Sequence, residues 1–216
     1  MALAARTVLV TGGTVRLGAA IAARLRAGGW RVVSSSHRAG SGADAVADLS
    51  DPAGAARLYA AVCSLLGGRP PDALVNNAAL FSGDEAAMEA VNLEAPKKLT
   101  MMMAGREEGR GAVVNVLDCR ILGGADAGEG PYARTKRALM EYTVKSAAMF
   151  ADTLRVNAVA PGPVLAPEGV REAAGETPLG RPAPGDVAEA VAFLLDAAAT
   201  SGCVVPVDGG QSLLCG

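Results

Sequence analysis

The feature that most constrains the fold of this chain is a regular alternation of continuously apolar segments with amphipathic ones. The apolar segments have the length and composition of strands and lie at 7–11, 31–36, 72–78, 111–118, 154–161 and 202–210. Apolar residues recur with helical spacing in the intervening segments 19–29, 51–68, 84–105, 131–150 and 185–197. Strands that are apolar throughout are buried on both faces. We therefore predict an α/β fold, with a doubly wound parallel sheet covered by helices on both faces.

The length of 216 residues is typical of a single domain with its own core, so we predict one domain spanning 1–216. Residues 165–184 form the one irregular stretch and are rich in Pro, Gly and Glu. We expect this stretch to be a short flap over a substrate, because such segments often cover the carboxyl edge of a sheet. In the helix at 51–68 we expect Asp51 to be the N-cap and Pro52 the first helical residue.

Charge and composition exclude several function classes. The formal net charge is -2 and the pI is about 5.5, so no basic face for nucleic acid is expected. No apolar run reaches the roughly 18 residues of a membrane span, and the first strand follows too soon for a signal peptide. We therefore expect a cytoplasmic protein without membrane contact. The four cysteines match no zinc pattern and the only histidine is His37, so neither a metal site nor a Ser-His-Asp triad is expected.

A glycine-rich turn connects the first strand to the first helix. In "VLVTGGTVRLG", Gly12, Gly13 and Gly18 lie directly between the two elements. Such a turn lets the backbone approach a diphosphate, which the N–H groups and the positive dipole at the helix N-terminus then stabilise. The spacing differs from G-x-G-x-x-G, but its position predicts a Rossmann-type dinucleotide-binding site.

The residues after the second strand indicate which dinucleotide binds. A Rossmann fold that prefers NAD usually has an acidic residue there, which binds the ribose hydroxyls. This chain has "SSSHRAGSG", in which Ser36, His37 and Arg38 follow without an acid, and Arg16 in the glycine turn can reach the same place. Basic side chains favour a 2′-phosphate, so we predict NADP(H) rather than NAD(H).

The segment "VVNVLDCRILGGADAGEGPYARTK" contains the residues best suited to proton transfer. Tyr132 and Lys136 are four residues apart and share one helix face. A tyrosine pKa of about 10 suits transfer near neutrality poorly, and a nearby ammonium is expected to lower it. Asp118 ends the preceding strand, and an ionised carboxylate only accepts hydrogen bonds. We therefore expect Asp118 to bind an N–H group of a nitrogen-bearing substrate, although a protonated Asp118 would instead donate.

The chain resembles the short-chain dehydrogenase/reductase family over nearly its whole length. The motifs that support this resemblance are, in chain order, "TGGTVRLG" (11–18), "DLS" (48–50), "NNAA" (76–79), "VNLEAP" (91–96), "YARTK" (132–136), "RVNAVAPGPV" (155–164) and "VDGG" (207–210). The resemblance implies hydride transfer from a nicotinamide to a C=O or C=N carbon, with Tyr132 supplying the proton. Because most members are tetramers, it also implies a homotetramer.

The same resemblance implies roles for individual residues. The cofactor would be bound at the glycine turn by Gly12, Thr14, Arg16, Leu17 and Gly18. Its adenine would lie near Asp48 and Leu49, and the rest of it would lie along Asn77, Ala78 and Ala79, and past Pro161, Gly162 and Val164. Lys136 would hold the nicotinamide ribose, and Asn92 would maintain a water relay to Lys136.

Asp118 stands where most of the family has serine, and this replacement is similar to the pteridine reductase and dihydromonapterin reductase branch. "RLG" (16–18), "SSHRAGS" (35–41) and "NNAALF" (76–81) also resemble segments of that branch. The resemblance places Phe81 where an aromatic ring stacks a pterin against the nicotinamide. It implies an NADPH-dependent reductase that acts on a C=N or C=O of a pterin-like heterocycle, with Phe81, Asp118 and Tyr132 contacting the substrate.

Besides the pterin reductase, two other candidate functions stay open. Ala79 replaces a serine of the branch and the flap is short, which also fits a carbonyl or imine reductase for another small molecule. A cofactor-binding protein without catalysis is the third candidate, although Tyr132, Lys136 and Asn92 are all present. The sequence also leaves open whether Cys119, next to Asp118, contacts the substrate.

Overall fold

The computed structural model describes residues 5–107, 109–123, 130–165 and 177–214. In these ranges seven strands form one sheet: β1 Thr7–Val10, β2 Arg31–Ser36, β3 Ala45–Val46, β4 Ala73–Asn76, β5 Gly111–Val116, β6 Leu154–Pro161 and β7 Val204–Val207. All pairings are parallel, and the order across the sheet is β3-β2-β1-β4-β5-β6-β7. Most of the predicted flap, residues 166–176, lies outside the described residues.

Helices connect these strands as the apolar spacing predicts. They are α1 Arg16–Ala27, α2 Gly54–Leu65, α3 Glu85–Glu89, α4 Ala95–Ala104, α5 Pro131–Met149 and α6 Pro184–Asp196. A π-helical segment, Ala90–Glu94, joins α3 to α4, and single 3₁₀ turns occur at Cys119–Ile121 and Gln211–Leu214. None of the helices in the described ranges combines the length and the apolar character needed to cross a membrane.

The core lies on both faces of the sheet, because alternate side chains of each strand point in opposite directions. On β1, Val8 and Val10 pack in the cluster that includes residues of α1 and α6, whereas Leu9 packs on the face covered by α2 and α4. All three side chains are fully buried, and burying each contributes about 1.5–3 kcal/mol. The predicted doubly wound α/β fold is therefore confirmed.

Two local predictions differ from the structure. β3 (Ala45–Val46) was not predicted, because two residues are too few to show strand periodicity. Helix α2 begins at Gly54 rather than at Asp51, so the predicted N-cap at Asp51 and helical Pro52 are wrong. Asp51 instead accepts a hydrogen bond from the Ala53 N–H, which stabilises a turn ahead of the helix.

The strand order reverses between β1 and β4. In parallel sheets of this kind, the crevice at the carboxyl ends of two such strands is where ligands bind. The Thr11 N–H, just past β1, donates to the Val75 carbonyl of β4, which holds the two strand ends together. The glycine turn and the loop that follows β4 therefore meet at this crevice.

Candidate active site

The glycine turn forms a close-fitting cradle at the end of β1. Gly12 has a φ of +63°, in the left-handed region, and Arg16 has a φ of +50°. A Cβ on Gly18 would overlap the Gly12 carbonyl, so no larger residue fits there without a backbone shift. Helix α1 starts at Arg16 without a side-chain cap from Val15, so no such cap competes with an anion for its first-turn N–H groups.

The loop after β4 fastens this turn. The Asn77 side-chain amide donates to the carbonyls of Thr11 (2.9 Å) and Gly12 (3.3 Å). The backbone N–H groups of Asn77 and Ala78 both donate to the Thr11 hydroxyl at 3.0 Å. The structure therefore brings Gly12, Gly18, Asn77 and Ala78 together, while Ala79 lies exposed beside them.

The residues predicted to select NADP(H) come from two places. Ser36 is the half-buried last residue of β2, and His37 and Arg38 follow it exposed, whereas Arg16 is exposed at the start of α1. The Arg38 backbone N–H donates to the Ser36 hydroxyl, and the Arg38 guanidinium donates to the His37 ring at 3.3 Å. Hydrogen bonds from Ser50, and then the proximity of His37, hold the pKa of Asp48 below its ordinary value. Asp48 lies at the same edge as His37, because Val46, two residues before Asp48, pairs with Ser36.

The remaining predicted cofactor residues lie at two further points. Leu49 is buried against α2, Thr14 is half-buried in the glycine turn, and Leu17 is half-buried in the first turn of α1. At the end of β6, the Gly162 N–H donates to the Val207 carbonyl, and Pro161 pairs with the same residue. A Cβ on Gly162 would press against Asp208, 2.7 Å from its Cα, which explains why glycine stands there. Val164, two residues on, packs against the α1 and α6 face of the sheet.

Tyr132 and Lys136 lie on the first turns of α5, and both side chains turn towards the end of β5. The Tyr132 hydroxyl donates to Oδ2 of Asp118 at 3.2 Å. The Lys136 ammonium donates to the Val116 carbonyl at 2.8 Å and lies 5.7 Å from the centre of the Tyr132 ring. Burial lowers the pKa of Lys136 to about 8, because it disfavours the charged form.

The expected lowering of the Tyr132 pKa is wrong for this arrangement. Burial and then the neighbouring Asp118 carboxylate raise the pKa of Tyr132, and the nearby guanidinium of Arg120 opposes them only in part. Burial is the larger cause, and the direct contact of the phenol with a carboxylate adds to it, whereas one N–H of the Lys136 ammonium donates to a backbone carbonyl. Tyr132 is thus held in the protonated form that a proton donor needs.

Asn92 lies in the π-helical segment and is fully buried. Its side chain accepts from the Leu80 N–H at 2.7 Å and donates to the Leu80 carbonyl at 2.8 Å. It also donates to the Thr135 hydroxyl at 3.2 Å, one residue before Lys136. Asn92 therefore links the loop that carries Phe81 to helix α5, and the water relay to Lys136 stays a prediction.

Arg120 is a site residue that the sequence analysis missed. Its Nε donates to Oδ1 of Asp118 at 3.0 Å, and its Nη2 donates to Oδ2 at 2.8 Å. The guanidinium carbon lies 5.2 Å from the centre of the Phe81 ring and 5.6 Å from that of Tyr132, distances typical of cation–π contacts. The sequence did contain a signal for this pair, because Arg120 follows two residues after Asp118 and an arginine so close can pair with the carboxylate.

The aromatic rings and the ion pair line a pocket of about 350 Å³. Phe81 and Tyr132 pack with ring centres 4.9 Å apart and planes tilted by 59°. Met88 and Ile121 add apolar wall, whereas Asp118 and Arg120 add charge. The other lining residues are Ser82, Gly83, Gly130, Pro131 and Ala133. A mostly apolar pocket with a few convergent polar groups is typical of a small-molecule site.

Cys119 does not face this pocket. Its side chain is buried, and its thiol donates to the Gln211 side-chain carbonyl at 3.2 Å, towards the C-terminal turn. The pocket contains instead a protonated phenol, with a buried ammonium behind it. With the parallel sheet and glycine cradle, these groups define the class of protein: a Rossmann-type oxidoreductase.

Comparison with known proteins gives the family. A family model described as enoyl-(acyl carrier protein) reductase matches residues 15–212. The ketoacyl reductase 2 assigned to the granaticin polyketide synthase of Streptomyces violaceoruber is 36% identical over 249 residues, covering 97% of each chain. The chain belongs to the short-chain dehydrogenase/reductase family, as its motifs indicate.

Two solved structures are also similar over most of their length. A blue fluorescent protein from a metagenomic library, in complex with NADPH, is 28% identical with a TM-score of 0.84, covering 96% of this chain and 98% of that one. The FolM alternative dihydrofolate reductase 1 from Brucella canis, complexed with NADP, is 29% identical with a TM-score of 0.79, covering 96% and 94%. Both proteins therefore resemble this chain in sequence as well as in fold.

Proposed function

We propose that this chain is an NADPH-dependent reductase that transfers hydride to a C=N or C=O bond, and that its substrate is a pterin-like heterocycle. One observation carries the proposal: the Phe81 and Tyr132 rings line a pocket together with the Asp118 carboxylate, to which the phenolic proton donor is hydrogen-bonded. A planar substrate that lies along Phe81 has its reacting bond within reach of Tyr132.

The residues at the carboxyl edge of the sheet fit the cofactor. The cradle around Gly18 excludes a side chain, and the first turn of α1 has no side-chain cap, which suits a diphosphate. His37 and Arg38 are exposed after β2 and suit a 2′-phosphate. The two solved relatives in complex with NADPH and NADP support the same cofactor. When bound, NADPH supplies the hydride.

Tyr132 supplies the proton. Burial and Asp118 keep the phenol protonated until the reacting nitrogen or oxygen gains electron density from the hydride. The phenolic proton then passes to that atom, so one hydride and one proton convert C=N to CH–NH or C=O to CH–OH. The Lys136 ammonium, 5.7 Å from the ring centre, stabilises the phenolate that remains.

The finer assignment, a pterin, is supported by three observations. Phe81 is 57% exposed and lies directly beside Tyr132, so its ring can stack on a flat heterocycle. The FolM protein, at 29% identity, resembles this chain over nearly its full length. Asp118 stands beside the proton donor, as the resemblance to the pteridine reductase branch implies.

A carbonyl substrate is the second candidate. The similarity to a ketoacyl reductase favours it. So do the two hydrogen bonds from Arg120 to Asp118, because they occupy the carboxylate that a substrate N–H group would need. A binding protein without catalysis fits less well, because the buried Lys136 and the protonated Tyr132 are both assembled at the pocket.

The experiment that tests the proposal follows NADPH oxidation by the purified protein with dihydropterins, a β-keto ester and a plain ketone. We expect turnover of dihydropterin with NADPH and much weaker activity with NADH. The Tyr132→Phe variant should bind NADPH normally and fail to turn over. Tight binding of NADPH with no reduction of any dihydropterin would reject the pterin assignment.

We also propose a homotetramer in the cytoplasm, as the family resemblance implies. Helix α5 has exposed apolar residues that suit a subunit contact: Val144 is 51% exposed and Met149 70%. Sedimentation velocity tests the tetramer, and a monomeric protein at micromolar concentration would reject it.

A further inference from the structure

The Asp118 carboxylate already has a full set of hydrogen bonds among the described residues. Oδ1 accepts from the backbone N–H and the Nε of Arg120, both at 3.0 Å. Oδ2 accepts from Nη2 of Arg120 at 2.8 Å and from the Tyr132 hydroxyl at 3.2 Å. A carboxylate has about four acceptor positions, and these donors fill them. Three of the four positions are filled by Arg120, and only the fourth, filled by Tyr132, opens when the phenolic proton turns to a substrate.

The group that this cluster presents to the pocket is therefore a donor. A guanidinium has five N–H groups, and the bonds to Asp118 use one on Nε and one on Nη2. The Arg120 side chain is 51% exposed, whereas that of Asp118 is only 15% exposed. Asp118 fixes one edge of the guanidinium, and the Phe81 and Tyr132 rings lie against it.

We propose that Arg120 is the substrate-binding residue that sets specificity, with Asp118 positioning it, and that its guanidinium donates to an oxygen adjacent to the reacting bond. This inference rests on the proposed reductase function, which it deepens. It replaces the expectation that Asp118 itself binds a substrate N–H group.

The geometry also defines the class of substrate. Nη2 of Arg120 and the Tyr132 hydroxyl contact the same oxygen, Oδ2 of Asp118, so the two donors lie side by side. A ligand that takes both must carry two neighbouring acceptors, of which one receives the proton and the other is an oxygen. A ring C=N next to a ring carbonyl, as in a 4-oxopteridine, has this arrangement. A β-keto ester or thioester has it too, which gives both candidate functions the same recognition chemistry.

A matched pair of ketones tests this recognition without assuming a pterin. The pair is a β-keto ester and a plain methyl ketone of equal chain length, assayed with NADPH alongside a dihydropterin. In Arg120→Leu we expect kcat/KM for the β-keto ester and for the dihydropterin to fall about tenfold, the lower range for losing a hydrogen bond from a charged donor. The plain ketone should lose less, since it has no second acceptor. The readout is therefore the selectivity ratio, kcat/KM for the β-keto ester divided by kcat/KM for the plain ketone, because loss of Arg120 also changes the surroundings of Tyr132 for both substrates. Asp118→Asn should lower the same selectivity ratio. Without the carboxylate, the Arg120 guanidinium is no longer held where it can donate to the ester oxygen of the substrate.

Arg134→Leu is the matched control. It removes the same charge from the residue that follows the pocket residue Ala133, and Arg134 pairs there with Glu85, both side chains being exposed. The control should leave the selectivity ratio unchanged, and thermal melting with NADP+ checks that each variant is folded. A general effect of charge would lower the ratio in both variants and would overturn the proposal.

The outcomes separate this inference from the proposed function. A collapse of the β-keto selectivity in Arg120→Leu, with no reduction of dihydropterin by any variant, rejects the pterin and supports the role of Arg120. An equal loss on both ketones, or no loss on either, overturns the role of Arg120 even if pterins are reduced. If nothing is turned over, calorimetric binding of a 4-oxopteridine and of the β-keto ester to the NADP+ complex decides. Equal affinity of wild type and Arg120→Leu, or no binding, then overturns it.

Discussion

Replacement of the buried lysine by a neutral residue should change how the stability of the protein depends on pH. Lys136 is fully buried, and burial lowers its pKa from 10.5 to about 8. Below about pH 8 the amine is charged in both the folded and the unfolded chain. Between about 8 and 10.5 the folded chain has lost the proton while the unfolded chain keeps it. Because the unfolded state then binds more protons, the free energy of unfolding rises with pH.

The size of this effect follows from the width of the window. Each pH unit inside it contributes at most about 1.4 kcal/mol. Titration of Lys136 across the window therefore adds roughly 2 to 3 kcal/mol to the stability of the wild type, allowing for partial titration at each end. Lys136→Met has no such group, so the difference in unfolding free energy between wild type and variant should grow by that amount.

Urea unfolding of both proteins at a series of pH values measures this difference. The subtraction removes contributions from other titrating groups, including Tyr132, whose raised pKa lowers stability only as the pH rises past its ordinary value near 10. Lys145→Met is the matched control, because Lys145 lies on the same helix with its side chain 71% exposed. If the unfolding free energy of wild type minus that of Lys136→Met does not change from pH 8 to 10, burial does not lower the pKa of Lys136 and the reasoning is refuted.

Three further predictions concern single residues. Tyr132→Phe should lower kcat by about 10²–10⁴-fold in the reductase assay, as expected for loss of general acid catalysis, with NADPH affinity unchanged. Gly18→Ala should weaken NADPH binding in a calorimetric titration, because its Cβ would overlap the Gly12 carbonyl and displace the turn. Arg155→Ala should lower the free energy of unfolding by about 2–3 kcal/mol in urea, because Arg155 donates to the Leu194 and Leu195 carbonyls at the end of α6.

Each of these predictions has a result that contradicts it. Full activity of Tyr132→Phe would mean that another group supplies the proton. Unchanged cofactor affinity in Gly18→Ala would show that the turn relaxes without cost or does not hold the cofactor. Arg106→Ala serves as a control for Arg155→Ala, since the Arg106 guanidinium is also largely buried but its contacts include the Pro71 carbonyl at 3.4 Å and the Asp72 carboxylate at 3.8 Å. Equal losses in the two would argue against a specific role at the α6 terminus.

The sequence predicted the fold well because the signals that specify it are local. The strands predicted at 31–36 and 154–161 coincide with β2 and β6. The helix predicted at 131–150 starts where α5 starts and ends one residue after it. Apolar periodicity needs only neighbouring residues, and burial on both faces follows from it. β3 escaped prediction because its two residues depend on pairing with β2.

The candidate site was only partly predictable, for a physical reason. The sequence alone determined the class of chemistry: a glycine turn after β1, a tyrosine and a lysine one turn apart, and an acid at the end of a strand. The tertiary structure decided what those groups do. Burial and the contact with Asp118 raise the pKa of Tyr132, and burial lowers that of Lys136, since desolvation depends on everything packed around a group. Only the folded chain shows that Asp118 is already bound to Arg120, because hydrogen-bond saturation is set by three-dimensional geometry rather than by spacing.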